Sequence, residues 1–454
     1  MFGKTKKVVG VLLASCMIAT AFAGCGGGGS TTSSTGGSGA SGTASTASSA
    51  DGKSVSVDDM LKDADYALGT EGKDSEVNLK VWAPSDALKI VQKQCDDFAK
   101  NFSDRKIKIK VVAQGENNAA ANLMNDPSTA ADVFGFASDQ ASNLYPGGFV
   151  ANVRADYANA IKAEHLEGAV DVSTNSEGKL VAFPETGDNG YIVYYNKSLV
   201  SADEVKTLEG LMAACEKQKK QFILSIGNGF YGCIIPLTGG GTYSLDEEGN
   251  QVLNYDKKKV VKSAKAFADV LANNSYFSSA DTDKVLASNL KNKKALAGVS
   301  GTWKRAAIEN ALGDDFACAK LPTIKIDGTD TDIVSMYGYK LIGVNNNSKY
   351  PRTSQALAYY LSGEKCQKER AESDDLGWGP SITKLVESDI VTGDPCLCAM
   401  YAQREHSVPQ IGLAGSFWDP TGAFGAYVVE KKNDLSEEGI SKAYDNMYTS
   451  ITAK

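Results

Sequence analysis

The sequence predicts an α/β protein of two lobes, each built from a β-sheet with helices on its faces. Short apolar stretches predict strands, and segments with apolar residues three and four apart predict helices between them. Strands that alternate with helices are typical of βαβ units, which form parallel sheets covered on both faces. The chain from about residue 75 onward is long for one hydrophobic core, and the pattern begins again after Val181. We therefore expect two lobes between which the chain crosses several times.

The first lobe is predicted to begin with a strand over residues 77–82, whose apolar side chains alternate. Ser85 or Asp86 can cap the next helix. The apolar residues of that helix recur at three- and four-residue spacing: Leu88, Val91, Cys95, Phe98 and Phe102. A strand over 107–111, a helix over 116–125 and a strand over 133–136 follow. Ligands bind such sheets at the carboxyl ends of their strands, so residues 82–86 and 135–139 are candidates for the binding edge.

The second half repeats this organisation. Strands are predicted at residues 191–195, 222–226, 295–299 and 341–344, with a helix over 260–271 and mostly helical structure after Pro351. We assign residues 76–186 with 338–390 to the first lobe and residues 190–334 with 391–454 to the second. The crossings are expected near residues 185–190, 335–340 and 386–393.

The first fifty residues differ in composition from the rest. Three lysines precede an apolar run over residues 8–24, and residues 26–50 hold only Gly, Ser, Thr and Ala. A basic start, a short apolar run and small residues are typical of an export signal, and the run is below the ~18–20 residues that cross a bilayer. We predict a signal peptide over 1–24 and a flexible linker over 25–75.

The stretch Phe22-Ala23-Gly24-Cys25 resembles the lipobox of bacterial lipoproteins. The resemblance implies that Cys25 becomes the lipidated first residue of a mature protein that is anchored to the outer face of the bacterial cell membrane. The alternative is an ordinary cleaved signal peptide in which Cys25 is incidental.

Charge and cysteine content exclude several classes of partner. The formal net charge of −8 argues against nucleic acid, and against an anionic lipid surface as a partner of the folded part. Seven cysteines follow Cys25, and this odd number, scattered through apolar segments, predicts buried free thiols rather than a disulfide framework. Cys396 and Cys398 lack a second pair and a nearby His, so we predict no metal site. No cofactor is predicted.

Five stretches, in one order, resemble the extracellular solute-binding proteins of ATP-binding-cassette (ABC) sugar importers, most closely the maltose/maltodextrin-binding proteins. The stretches are residues 131–139, 181–184 with 194–197, 297–303, 321–323, and 408–410 leading to Phe417-Trp418. The resemblance implies a type II periplasmic-binding-protein fold whose lobes close over an oligosaccharide. It also implies a monomer that delivers the sugar to the permease subunits of the importer.

A sugar ring has an apolar C–H face and a rim of hydroxyls, so its site needs aromatic platforms with planar donors and acceptors. The family's positions imply stacking on Trp303 and Trp418 and an aromatic pair at Phe230 and Tyr231, and they place Phe136 where relatives carry Trp. From the residues alone, a lone Trp usually packs in the core, which is the interpretation we keep for Trp82.

The same resemblance implies polar partners for the sugar hydroxyls. Asp86 and Asp139 match carboxylates of the family, although each is also a plausible helix N-cap. Asn189 and Asn228 stand where many relatives carry Glu. Three further positions lack the charged residues of maltose binders, namely Ala87, Gln140 and Gly422. The identity of the sugar is therefore open to other gluco- or galacto-oligosaccharides.

Residues 227–232 read G-x-G-x-x-G after a strand, which is the dinucleotide-binding pattern. Pro236 and the glycines at 239–241 interrupt the helix that should follow, so we predict a loop that lets Phe230 or Tyr231 reach a cleft.

The competing function is a surface-anchored glycoside hydrolase, because acidic pairs and aromatic clefts serve enzymes as well. The chain has no G-x-S-x-G or H-E-x-x-H motif, and its two histidines, His165 and His406, have no partner pattern. We predict a binding protein without catalytic residues. A sugar sensor would share the fold and the site.

Overall fold

A computed structural model of the chain describes residues 60–453. The signal peptide, Cys25 and the low-complexity tract of the sequence analysis lie outside the described residues.

The strands are β1 (Val77–Ala83), β2 (Ile107–Ala113), β3 (Val133–Ala137), β4 (Phe183–Asn189), β5 (Tyr191–Asn196), β6 (Gln221–Ile223), β7 (Thr242–Leu245), β8 (Gln251–Asn254), β9 (Phe277–Ser278), β10 (Ala295–Gly301), β11 (Phe316–Ala319), β12 (Thr323–Ile326), β13 (Thr329–Asp332), β14 (Ser335–Val344) and β15 (Ser407–Pro409).

The helices are α1 (Ala64–Leu68), α2 (Leu88–Asn101), α3 (Glu116–Asn125), α4 (Ala141–Leu144), α5 (Ala155–Glu164), α6 (Glu167–Val172), α7 (Ala202–Val205), α8 (Leu208–Gln218), α9 (Gly229–Gly232), α10 (Ile234–Thr238), α11 (Lys257–Leu271), α12 (Thr282–Lys291), α13 (Arg305–Leu312), α14 (Pro351–Ser362), α15 (Glu364–Ala371), α16 (Thr383–Val386), α17 (Asp389–Thr392), α18 (Pro395–Arg404), α19 (Trp418–Val429) and α20 (Glu437–Thr452).

Two mixed sheets organise the described chain. The first has the order β15-β14-β3-β1-β2, with β4 also paired to β14, and the second has the order β11-β5-β10-β6-β9. β1 runs parallel to β2 and β3, whereas β14 is antiparallel to β3 and β4. Each sheet is therefore mixed, whereas the sequence pattern predicts parallel sheets. The chain enters β5 directly after leaving the first sheet, and it returns to the first sheet through β14 after the β12–β13 hairpin.

Buried apolar side chains join the two sheets. One cluster packs within the second sheet and its helices, and another lies between the first sheet, α2 and α14. A third contains Phe134 and Phe136 of β3 together with Ile192 and Tyr194 of β5. The chain segments that cross from one sheet to the other therefore pack on a hydrophobic cluster that both sheets share.

The chain between residues 60 and 75, which we assigned to the linker, is folded. Met60, Leu61, Ala67 and Leu68 are buried against the core of the first sheet. The Asp63 side chain caps α1 by accepting hydrogen bonds from the backbone N–H groups of Asp65 and Tyr66. Only four side chains of this segment are apolar and buried, which is too few to produce a clear period in the sequence.

Helix α2 confirms the predicted apolar spacing but not the predicted cap. Val91, Cys95 and Phe98 are buried on its inner face. The residue before the helix is Ala87, and no side chain caps this end. Asp86 lies one residue too early to reach the free N–H groups of the first turn and is exposed.

Candidate functional site

A cavity of about 690 Å³ is lined by residues that follow strands of both sheets. Pro84 follows β1 and Asp139 follows β3, whereas Asn228 follows β6 and Trp303 follows β10. This arrangement agrees with the rule that α/β sheets bind ligands beyond the carboxyl ends of their strands. Its volume lies within the ~300–1,000 Å³ of small-molecule sites.

One wall of the cavity is aromatic. The ring centroid of Phe230 lies 6.1 Å from that of Trp303 and 6.4 Å from that of Trp418. All three side chains are half-buried, and the rings are tilted by 43° and 58° to their neighbours. Tyr231 is buried behind Phe230. The wall is therefore a curved surface of three rings, with part of each exposed to the cavity.

The close approach of α9 and α19 builds this wall. A Cβ atom at Gly422 would lie 2.5 Å from the Gly227 carbonyl oxygen and 2.9 Å from the Gly229 nitrogen. The side chain of Asn228 accepts a 2.9 Å hydrogen bond from the Phe230 N–H and so begins α9. The glycines of the G-x-G-x-x-G pattern thus permit close packing of the two helices. The predicted loop is instead the short helix α9, which carries Phe230 to the cavity.

Asp283 of α12 fixes the orientation of the aromatic residues. Trp303 Nε1 donates to its Oδ2 over 3.1 Å, while Ser300 Oγ and the Tyr231 hydroxyl donate to its Oδ1 over 2.8 and 3.3 Å. With these three donors the carboxylate holds the indole plane of Trp303 against the cavity. The sequence gives no sign of this role for Asp283, because an acidic residue in the first turn of a helix is already explained by its favourable interaction with the helix end.

Two other polar groups face the same space. Asn189, at the end of β4, donates from Nδ2 to Gln410 Oε1 over 2.7 Å, and both residues line the cavity. Asp139 lines the cavity, and desolvation raises the pKa of its carboxyl from 3.8 to about 6. Among the described residues no cation forms an ion pair with Asp139, and its side chain caps no helix.

A buried ion pair forms the base of the cavity. Lys340 Nζ lies 3.1 Å from Glu116 Oε2, and the side chains are only 5% and 13% exposed. Burial alone would lower the pKa of Lys340, but the carboxylates of Glu116 and Asp188 outweigh it and raise that pKa. The ammonium also lies 4.4 Å from the ring centroid of Trp378. Sequence patterns gave no signal for this pair, since its members are distant in the chain.

Burial also acts on the neighbouring carboxylates. Desolvation raises the pKa of Glu116, and it raises the pKa of Glu185 to about 7. Arg370 lies 4.0 Å from Glu185 and is 1% exposed. This cluster of buried charges lies where β4 and β14 pair irregularly within the first sheet.

The structure brings together seven of the nine predicted binding residues: Asp139, Asn189, Asn228, Phe230, Tyr231, Trp303 and Trp418. Phe136 is not among them, because its ring is fully buried and packs against Phe134 and Tyr145. Full burial of such a ring contributes ~1.5–3 kcal/mol, which exposure to the cavity would forfeit. Asp86 is exposed in the loop after β1, beside Pro84 but outside the lining of the cavity.

The chain belongs to the bacterial extracellular solute-binding protein family, whose model matches residues 93–398. It is 24% identical over 401 residues to the galactooligosaccharide-binding protein of Bacillus subtilis (strain 168), an alignment that covers 83% of this chain and 90% of that protein.

Solved structures agree with this assignment. A structure described as being with acarbose has a TM-score of 0.75 and 25% identity, covering 83% of this chain and 99% of that chain. The maltodextrin binding protein MalE1 from L. casei BL23 without ligand has a TM-score of 0.72 and 24% identity, covering 84% and 100%. The predicted family and the predicted two-lobed α/β fold are confirmed.

Membership of this family implies a location outside the cytoplasm. Within residues 60–453 no helix has the length and apolar character needed to cross a membrane. The same residues contain no group of three or more His, Cys, Asp or Glu side chains arranged to hold a metal ion.

Proposed function

We propose that this protein binds oligosaccharides, with maltodextrins as the best candidate, and delivers them to the permease subunits of an ABC importer. The observation that carries the proposal is the position of Phe230 between Trp303 and Trp418 on one wall of the cavity. Aromatic faces stack on the apolar C–H faces of sugar rings, and three adjacent rings offer more than one ring subsite.

The curvature of the wall favours α-1,4-linked glucose. Successive rings of that polymer turn about a helical axis, and the tilts of 43° and 58° between neighbouring aromatic planes present a curved surface to them. The polar groups opposite, Asp139 and Asn189, can accept and donate hydrogen bonds to the hydroxyl rim. Names of the relatives point to galactooligosaccharide, maltodextrin and acarbose, which supports a saccharide ligand and keeps galacto-oligosaccharides as the second candidate.

The cavity carboxylates favour binding over glycosidic cleavage. A glycosidase needs one carboxyl group as acid and a second as base or nucleophile. Asp283 is held by three donors that orient the aromatic wall, and Glu116 is paired with Lys340. Asp283 and Glu116 are therefore occupied in supporting the site. From this use of two cavity carboxylates and from the family of solute-binding proteins, we infer that the protein is not an enzyme.

We propose that residues 76–186 with 338–390 and residues 190–334 with 391–454 are lobes that close on the ligand. The aromatic wall belongs to the second lobe, and Asp139 and Asp86 belong to the first. A sugar that contacts both lobes stabilises the closed state by the contacts made only there. Asp86, exposed in this structure, would reach the ligand after closure, and the closed form would dock on the permease as a monomer.

Calorimetric titration of the full chain tests the ligand. We expect maltotriose to bind, with galacto-oligosaccharides weaker and glucose weakest, because several subsites contribute. Chromatography of the recovered trisaccharide should show no cleavage. Failure of every oligosaccharide to bind would contradict the sugar-receptor proposal, and shortened products would favour the glycosidase.

We also propose that lipid on Cys25 anchors the protein to the outer face of the cell membrane. Cys25→Ser should move the protein from the membrane fraction to the soluble fraction and leave maltotriose binding unchanged. A variant that remained in the membrane fraction would contradict the anchor.

A further inference from the structure

Two of the seven cysteines that the sequence analysis treats as isolated thiols lie side by side. Cys318 Sγ is 3.0 Å from Cys396 Sγ. This separation is below the van der Waals contact of two sulfur atoms and about 1 Å longer than the S–S bond. We propose that Cys318 and Cys396 are a disulfide-forming pair, and that a small or protein disulfide outside the cytoplasm is the oxidant that joins them.

The elements that carry the two cysteines are packed on each other and need little movement. Cys318 lies on β11, opposite Tyr194 of β5. Cys396 is the second residue of α18, where Asp394 accepts hydrogen bonds of 2.9 Å from the N–H groups of Cys396 and Leu397. Arg305 of α13 holds Asp394 in turn, over 2.6 Å. The start of α18 is thus fixed against the second sheet with Cys396 directed at β11.

The bond closes a long excursion of the chain. Cys318 precedes Cys396 by 78 residues, and the segment between them contains β14, which belongs to the first sheet. A disulfide at this position would join β11, the strand from which the chain leaves the second sheet, to α18, the helix that packs back against that sheet. Closing a loop of this length restricts the unfolded chain and so stabilises the folded state.

Exposure sets the order of the exchange steps. Cys318 is half-buried and meets the oxidant first, whereas Cys396 is buried. The Cys318 thiolate attacks one sulfur of the oxidant, and the other sulfur leaves as a thiolate. The Cys396 thiolate then attacks the Cys318 sulfur and expels the remaining half of the oxidant. The two cysteines lose two protons and two electrons, and the oxidant is reduced to two thiols.

The thiol of Cys396 is unreactive until it is engaged in this exchange. Its neighbour Cys318 and burial both raise its pKa, so a small share is thiolate at neutral pH. Cys398 is the exposed cysteine of the same helix, but its Sγ donates to the carbonyls of Val391 and Thr392 at 3.2 and 3.5 Å. Cys398 therefore faces α17, away from Cys318, and serves as the matched control.

The test is mass spectrometry of the full chain, first reduced and then incubated with oxidised glutathione. We expect a protease digest to yield a cross-linked pair of peptides that contain Cys318 and Cys396, with a mass about 2 Da below the sum of the two reduced peptides through loss of two hydrogens. Dithiothreitol should reverse the change. The oxidised protein should melt several degrees above the reduced protein.

Variants separate this pair from the other thiols. Cys398→Ser should retain the cross-link, whereas Cys396→Ser should lose it and leave glutathione attached to Cys318. Alkylation of both Cys318 and Cys396 in the oxidised parent would overturn the proposal, and so would a cross-link through Cys398. The measurement uses no sugar, so its outcome is independent of the proposed ligand.

Discussion

Each aromatic residue of the cavity wall should contribute to affinity without contributing much to folding. Trp303 and Trp418 are half-buried, so their exposed faces make few contacts in the unliganded protein. Stacking of a base on an aromatic side chain is worth ~1–3 kcal/mol, and we expect a similar value for a sugar ring. Trp303→Ala and Trp418→Ala should each weaken maltotriose binding by about tenfold to a hundredfold.

Trp82→Ala is the matched control, because Trp82 is also half-buried but packs on Phe134 away from the cavity lining. It should leave the calorimetric affinity unchanged and lower the melting temperature. Parent-like affinity in both Trp303→Ala and Trp418→Ala would contradict the stacking site.

The carboxyl of Asp139 should make stability and affinity respond to pH in opposite directions. Its pKa of about 6 exceeds the ordinary value of 3.8, so the folded state binds the proton more tightly than the unfolded chain. This contribution to the free energy of unfolding is complete below pH 3.8 and is lost as the pH rises through about 6. Affinity should increase over the same range, because the ionised carboxylate accepts more hydrogen bonds from sugar hydroxyls.

Asp139→Asn should therefore raise the melting temperature at about pH 7.5, weaken maltotriose binding, and remove the pH dependence of affinity near pH 6. Asp419→Asn, at an exposed carboxylate of the same cavity, should keep that dependence. If the pH dependence survives in Asp139→Asn, another group is responsible.

At the level of elements, the contact between α9 and α19 determines where the aromatic rings stand. Gly422→Ala would place a Cβ atom 2.5 Å from the Gly227 carbonyl oxygen. We expect it to lower the free energy of unfolding by ~1–3 kcal/mol, as overpacking does. It should also weaken maltotriose binding, because Phe230 and Trp418 move apart.

Gly415→Ala provides the comparison, since a Cβ atom there meets nothing within 4 Å. It should change the free energy of unfolding by less than ~0.5 kcal/mol. Equal effects of the two substitutions, measured by urea denaturation and calorimetry, would show that the contact does not position the wall.

The same contact requires a glycine at position 422. A side chain there would collide with the backbone at Gly227 and Gly229, so the packing that brings Phe230 to the cavity leaves no room for a charged sugar partner at this position. Local patterns could predict most of the helices and strands and the aromatic residues. They could not predict the burial of Phe136 or the ion pair of Lys340 with Glu116, because both depend on contacts between distant segments.

At the level of the whole molecule, the order of elements was predictable and the mixed direction of the sheets was not. The antiparallel pairs of β14 with β3 and of β5 with β10 join strands that are far apart in the chain, so local patterns do not show their direction. The long paired strands β4 and β14 carry the crossings, and their pairing is irregular around Lys340. An irregular pairing beside a crossing is a place where a rotation of one lobe disturbs few hydrogen bonds.

Closure on the ligand should therefore be visible in solution. A sugar held by Asp139 on one side and by the aromatic wall on the other brings the two sets of cavity residues together. Small-angle scattering of the full chain should show a smaller radius of gyration at saturating maltotriose than without sugar.

The Trp303→Ala and Trp418→Ala double variant at the same sugar concentration should keep the larger radius of gyration, because it lacks the contacts that favour the closed state. If the parent's radius is unchanged while calorimetry shows the site to be saturated, the cavity binds its ligand in the conformation described here, and the protein works without hinge closure.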